Sequence, residues 1–332
     1  MTYIIAEAGV NHNGRLDLAE KLIKAAASSG ANAVKFQAWK AENLATRSAP
    51  LAIYQEENTS GFKNQYDMLK ELELSENNHK YLKEICEQFN IEYLSSAFDL
   101  EGIQMLQNLK IGKLKIPSGE ITNLPFLMKA GTFDWDIILS TGMSTLEEIE
   151  NALHCLEANG KNRKKITVLQ CTTQYPAPFN SINLSAMNTI SKAFDLKIGY
   201  SDHTNGITAS IVAVALGANI IEKHLTLDKN LPGPDHKASL EPDEFKFMVE
   251  QIRNTELSIG NGIKIPSQCE IPNIAIARKS IVAKKVIKKD EVFSVDNLCV
   301  KRPGTGISPM KWHDLIGKIS KRNYHVDELI ID

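Results

Sequence analysis

Along the first 225 or so residues, short apolar runs alternate with amphipathic stretches. The runs are Tyr3–Val10, Ala33–Ala38, Glu92–Phe98, Lys113–Gly119, Asp136–Gly142, Ile166–Thr172, Lys197–His203 and Asn219–Leu225. Each is nearly continuous in apolar character and ends in polar or glycine residues. That pattern predicts parallel strands covered on both faces. The intervals predict helices. Leu16, Ala19, Leu22, Ile23 and Ala26 fall on one helical face between Leu16 and Ser29, with Gly30 as the stop. Thr145 stands three residues before Glu148, a capping-box pattern opening Thr145–Leu156. Ala209–Gly217 is almost wholly apolar and is expected to be buried.

Eight strand–helix units in this length predict a (β/α)8 TIM barrel. A doubly wound sheet is the competitor. The barrel is preferred because polar residues cluster at the ends of all eight runs, not at one switch point. Lys40 to Ser75, containing the Ser60–Gly61 pair, breaks the grammar and is expected to lie as an insertion over the barrel mouth. After Pro242 a helix is expected to about Ile259. We therefore divide the chain into a barrel domain over 1–260, a Gly/Pro-punctuated linker over 261–273 and a small, mainly β domain over 274–332.

Composition narrows the function without naming it. The chain has 332 residues, 38 basic and 40 acidic, for a net charge of −2. No basic excess points to a nucleic acid or an anionic membrane surface. No apolar run approaches the roughly 20 residues of a spanning helix, and the start has no signal-peptide pattern. Five widely spaced cysteines without a CxxC pair suit free thiols in the cytoplasm.

In a barrel of this kind, side chains just past the strands converge on one mouth. Here that set includes Glu7, Asn11, His12, Lys35, Gln37, Ser95, Ser96, Asp99, Lys115, Ser118 and Glu120. The second half adds Ser140, Thr141, Thr172, Thr173, Tyr175, Ser201, Asp202, His203, Glu222 and His224. Lysines inside apolar runs, Lys35 and Lys115, must be paired. An internal salt bridge would satisfy them; so would a phosphate or carboxylate ligand. His203 and His224 end adjacent strands and could share a metal, with Asp202 or Glu222 as a further ligand or an orienting group. Core histidines are the alternative. An octahedral Mn2+ or Mg2+ with water in the other positions fits better than a closed zinc site. His12 and His236 lie in loops at the mouth. His79, His154, His313 and His325 sit in helical or surface contexts.

Nine motifs, in order and spanning nearly the whole chain, resemble the sialic-acid synthase family. They are EAGVNHNG at 7–14, VKFQ at 34–37, KIPSGE at 115–120, STGM at 140–143 and YPAPF at 175–179. SDHT at 201–204, EKHLTLD at 222–228, PGPDHKAS at 232–239 and KRPG at 301–304 complete the set. The resemblance is to bacterial N-acetylneuraminate synthases and, as closely, to legionaminic acid synthases. It implies a barrel with a C-terminal antifreeze-like (SAF) domain, assembled as a domain-swapped homodimer. It also implies condensation of phosphoenolpyruvate with an N-acetylmannosamine-type sugar, N-acetylmannosamine itself or its 2,4-diacetamido-2,4,6-trideoxy analogue, with release of phosphate.

By that resemblance, Lys35, Lys115, Ser118, Ser140 and Ser201 hold phosphoenolpyruvate, with Ser96 and Thr173 as helpers. His203 and His224 hold Mn2+, with Mg2+ or Co2+ as substitutes. Glu120 handles the water and proton at carbon 2. Glu7, Tyr175 and Asp235 contact the sugar, and Arg302 reaches its N-acetyl group from the partner's small domain. Gln170, Ala97 and Thr173 depart from common family patterns, at positions where histidine, proline and asparagine are frequent. A Schiff-base aldolase using pyruvate through one of the lysines, or a non-catalytic sugar-binding protein, are the competing functions.

Overall fold

The computed structural model describes residues 1–59 and 61–331. Its first compact unit is Met1–Gly260. The strands are β1 (Tyr3–Glu7), β2 (Ala33–Ala38), β3 (Glu92–Ala97), β4 (Lys113–Ile116), β5 (Asp136–Ser140), β6 (Ile166–Cys171), β7 (Lys197–Asp202) and β8 (Ile220–His224). They pair in parallel in sequence order and close through β1 and β8, where Tyr3 to Glu7 lie opposite Ile220 to His224. Several strands stop up to three residues before the apolar run does. The surplus residues begin the mouth loops, as at Ser118–Glu120, which forms a 3-10 turn.

Period two along each strand builds two different cores. One parity points inward, where Ile5, Ala33, Leu94, Ile138, Leu169 and Ile220 form an apolar plug. The opposite parity points outward, and Ile4, Val34, Phe36, Leu114, Leu139, Val168 and Ile221 pack under the helices. The helix Leu16–Ser28 buries Ala19, Leu22, Ile23 and Ala26 on that layer. Each large aliphatic side chain so buried is worth about 1.5–3 kcal/mol. Thr145 caps the helix Leu146–Ala158 reciprocally with Glu148. The helix Thr208–Ala215 corrects one expectation: it buries one face only, and Val212 is 41% exposed. It lies against β7, β8 and the helix Pro242–Ile259, so its outer side meets water.

The stretch from Lys40 to Ser75 contains helices at Ala41–Leu44, Ile53–Asn58 and Gln65–Leu72. Ser60 of the Ser60–Gly61 pair lies outside the described residues. The second compact unit is Asn261–Asp332. A helix at Ile271–Ala277 begins in the stretch expected to be a linker and runs into the expected small domain. Beyond it, β9 (Ser280–Ala283) and β10 (Leu298–Lys301) pair antiparallel. Isolated bridges such as Ile287 to Tyr324 extend the β character. Ile281, Ile287, Phe293, Leu298, Tyr324 and Ile330 form this unit's own core. No helix among the described residues is long and apolar enough to cross a membrane.

Candidate active site at the barrel mouth

The inward parity that supplies the plug also supplies a polar layer above it. Two residues after Ile5 comes Glu7; after Ala33, Lys35; after Leu94, Ser96; after Ile138, Ser140; after Leu169, Cys171; after Ile220, Glu222. All of them line one cavity of about 380 Å3. Lys115, Ser118, Glu120, Thr173, Tyr175, Ser201, His203, His224 and Asp235 share it. Arg302, expected to reach the sugar, belongs to the second unit, where its Nε donates to the Ala277 carbonyl (3.1 Å).

The two lysines are held by carboxylates and remain inside the cavity. Lys35 Nζ lies 3.0 Å from Glu7 Oε2 and 3.6 Å from Glu222 Oε2, and donates to Ser96 Oγ (2.9 Å). Lys115 Nζ donates to Glu222 Oε1 (2.7 Å) and Oε2 (3.0 Å), and Ser201 Oγ donates to Glu222 Oε1 (2.9 Å). Every one of these groups is buried. Burial pushes the Glu222 carboxyl up, but Lys115 and Lys35 outweigh it and hold it well below the usual range. Burial raises Glu7, against the pull of Lys35. Burial and the neighbouring Lys35 push Lys115 down despite Glu222. Lys35 is opposed by burial but raised by Glu222 and Glu7, which makes it a poor Schiff-base nucleophile, and both ammonium groups are anion ligands.

His203 and His224 face each other, with ring centroids 5.5 Å apart, and Tyr175 packs on both. His203 Nδ1 donates to the Thr172 carbonyl (2.7 Å), so Nε2 carries the lone pair; Ser201 Oγ lies 3.4 Å from it but gives its shorter hydrogen bond to Glu222. Burial lowers His203 to about 4 and takes His224 well below its usual value, so both are neutral at pH 7. His224 Nδ1 and Ser140 Oγ are buried without a hydrogen-bond partner. Native interiors seldom leave such atoms unsatisfied, so a missing partner at the cavity is the direct explanation. Two neutral imidazoles and an orphaned ring nitrogen fit a divalent cation. Among the described residues no group of three or more His, Cys, Asp or Glu side chains is placed to hold one. A cation here would therefore have these two protein ligands and water.

Glu120 is buried and accepts from Asn123 Nδ2 (2.6 Å); burial raises its pKa, partly offset by that bond. Asp235 is pushed up to about 7 by burial and by Glu7, with Lys35 opposing. Ser118 Oγ accepts from the Gly142 N–H (2.9 Å) and lies 3.4 Å from Cys171 Sγ.

Parity also corrects several expectations. Asp202 follows inward Ser201 and therefore points outward. It pairs with Lys223 (3.1 Å) and accepts from Thr204 and Ser210, so it is not a metal ligand or an orienting group. Ser95 turns outward to the Phe36 carbonyl. Asp99 caps the helix Leu100–Asn108, and Asn11 ties β8's end to Ser239. His12 accepts from the Gly14 N–H, while His236 bonds Thr226 and Asn13. Gln170 also points outward, to the Ile182 carbonyl, so its departure from the family pattern does not touch the cavity.

Sequence reasoning missed Cys171, although its parity with Leu169 signals it. It also missed Trp39, Tyr54, Gln55, Gln65, Met68 and Leu72, which wall the cavity from the Lys40–Ser75 side. Asn64 as a helix cap, followed by Met68 and Leu72 four apart, was the available signal there.

Comparison with known proteins agrees with this geometry. The NeuB family matches residues 22–264 and the SAF domain matches residues 278–330. The chain is 55% identical over 329 residues to N,N'-diacetyllegionaminic acid synthase of Campylobacter jejuni, covering 99% of this chain and 98% of that protein. It is 45% identical over 317 residues to N,N'-diacetyllegionaminic acid synthase of Legionella pneumophila, covering 95% and 89%. The crystal structure of N-acetylneuraminic acid (sialic acid) synthetase from Leptospira borgpetersenii superposes with a TM-score of 0.72 at 34% identity. It covers 82% of this chain and 90% of that one.

Proposed function

The chain belongs to the NeuB family and carries an SAF domain, and from that premise we propose that it is a phosphoenolpyruvate-dependent nonulosonate synthase. It joins phosphoenolpyruvate to the open-chain aldehyde of an N-acetylmannosamine-type sugar. The acceptor we favour is 2,4-diacetamido-2,4,6-trideoxymannose, giving N,N'-diacetyllegionaminate. The two relatives at 55% and 45% identity are N,N'-diacetyllegionaminic acid synthases, which supports that choice. The alternative acceptor is N-acetylmannosamine, giving N-acetylneuraminate.

The observation that carries the proposal is the pair of buried lysines beside two neutral, facing imidazoles in one cavity. Lys35, Lys115, Ser118, Ser140 and Ser201 would bind the phosphate and carboxylate, with Ser96 and Thr173 beside them. Carbon 3 of phosphoenolpyruvate attacks the aldehyde carbon, water adds at carbon 2, and the carbon 2–oxygen bond to phosphate breaks. Atoms balance as a 2-keto acid and inorganic phosphate. Glu120, raised by burial, would take the proton of the water attacking carbon 2. Glu7, Tyr175 and Asp235 would fix the sugar so that the reacting carbons lie within about 3–3.5 Å. A divalent cation on His203 and His224, Mn2+ with Mg2+ or Co2+ as substitutes, would supply Lewis-acid polarisation of the aldehyde oxygen. In a domain-swapped homodimer, Arg302 of the partner subunit would meet the N-acetyl group. Free cysteines fit a cytoplasmic location.

The test is incubation of the purified chain with phosphoenolpyruvate, Mn2+ and each acceptor, reading phosphate and 2-keto acid together. Expected are both products in equal amounts, loss of turnover on chelation, and recovery with Mn2+. Absence of turnover with both sugars would overturn the proposal.

A further inference from the structure

The cavity has two chemically different sides. Lysines and hydroxyls occupy one, the side proposed above for phosphoenolpyruvate. The other is apolar. Val10, Trp39, Leu44, Met68, Leu69 and Leu72 line it, and they form a hydrophobic cluster separate from both the plug and the outer core. Met68 and Leu72 sit four apart on the helix Gln65–Leu72 and are almost wholly buried. Trp39 Nε1 donates to the Leu69 carbonyl (3.1 Å), so its polar atom is satisfied and the indole is fixed against the helix. A short helix, Ala41–Leu44, adds Leu44.

Resting on the proposed synthase activity, we infer that this wall is the acceptor-selecting element and that it recognises methyl groups. N-acetylmannosamine presents one methyl and hydroxyls at carbons 4 and 6. Its 2,4-diacetamido-2,4,6-trideoxy analogue presents three methyls: two acetyl methyls and carbon 6. A hydroxyl turned against Leu, Met and Trp side chains loses its water without gaining a partner. A methyl in the same place gains burial. Gln55 and Gln65 share the cavity and can serve the acetamido amides. The wall therefore selects by rejecting hydroxyls as much as by attracting methyls.

The experiment compares the wild-type chain with Leu69→Gln and Leu44→Gln, both at partly buried positions, and with Met68→Leu, which keeps volume and polarity class. The quantity read is kcat/KM for the trideoxy acceptor divided by kcat/KM for N-acetylmannosamine. Each Gln variant is expected to lower that ratio by about tenfold, with KM for phosphoenolpyruvate within about twofold of wild type. Met68→Leu is expected to leave the ratio unchanged. Thermal melting of each variant checks the fold. An equal fall with both acceptors would overturn the inference, since a merely structural wall does that. A wild-type preference for N-acetylmannosamine would overturn it while leaving the synthase activity standing. Turnover of neither sugar by the wild type would overturn both.

Discussion

One added methyl group at Gly142 would test whether the hydroxyls of Ser118 and Thr173 must sit where they are. Gly142 lies just past β5, and its N–H donates to Ser118 Oγ (2.9 Å). A Cβ built there would stand 2.9 Å from Ser118 Oγ and 3.1 Å from Cys171 Sγ, and closer still to Thr173 Oγ1. The backbone at Gly142 is not left-handed, so the obstacle to alanine is steric alone. Both hydroxyls end short side chains that can rotate away, at about 0.5–1.5 kcal/mol each. Gly142→Ala should therefore fold, with a thermal midpoint lower by a few degrees. Catalysis is less forgiving, because relief of the contact moves the Thr173 hydroxyl by about 1 Å. A displacement of that size costs on the order of 10²-fold in rate. The assay is phosphate release at saturating acceptor with phosphoenolpyruvate varied. We expect kcat/KM for phosphoenolpyruvate to fall about 100-fold and KM for the sugar to stay near wild type. Gly142→Ala combined with Thr173→Ala makes room for the new methyl and should recover part of the loss, a non-additive result. A single variant within threefold of wild type, or a double variant as poor as the product of the two singles, would refute the reasoning.

Asp202→Asn should leave the buried Lys223 ammonium uncompensated, because both side chains are fully buried and 3.1 Å apart. The expected loss is about 3–5 kcal/mol in urea unfolding, with kcat of the folded enzyme unchanged because the pair faces the outer layer; a shift below 1 kcal/mol would count against it. Burial lowers His12 and His236 to about 4 and His79 to about 3. A depressed histidine pKa stabilises the fold fully above the unfolded value near 6.5, and that stability is lost as pH falls toward 3–4, at about 1.4 kcal/mol per pH unit per group. Unfolding free energies of His79→Gln measured at pH 7, 6 and 5 should accordingly decline less steeply than those of the wild type, and parallel slopes would contradict the assignment.

Much of this was readable in the chain because parallel strands and amphipathic helices leave strong periods. The eight runs, the stop at Gly30 and the Thr145–Glu148 cap all appear where their patterns lie. The site residues were readable because barrel strands end at a common rim. What went astray was direction. Asp202 and Ser201 are neighbours in sequence, and only the alternation of faces separates an outward ion pair from an inward ligand. That alternation was present in the sequence, since Ile5, Leu94, Ile138 and Leu169 of the plug each stand two residues before a lining residue. The Lys40–Ser75 stretch was opaque for a different reason. Its three helices have four, six and eight residues, too short to print a period, and they hold their places by packing on the mouth.

The lysines show why an internal salt bridge and a ligand site are not competing explanations. A cavity that waits for a polyanion must be stable without it, and two bare ammonium groups beneath a protein surface would not be. Glu7 and Glu222 satisfy that condition by pairing with Lys35 and Lys115 inside the cavity. Because Ser96 accepts from Lys35 and Ser201 donates to Glu222, the pairs are held on more than one side. An arriving anion therefore meets donors already aimed and already stripped of water, and little rearrangement is left for the bound state. The same carboxylates repel that anion, so the lattice favours it only when further positive charge stands nearby. His203 and His224 carry none at pH 7, being held neutral by burial. A cation held by the two imidazoles, as proposed above, would supply that charge, and phosphoenolpyruvate affinity would then depend on metal.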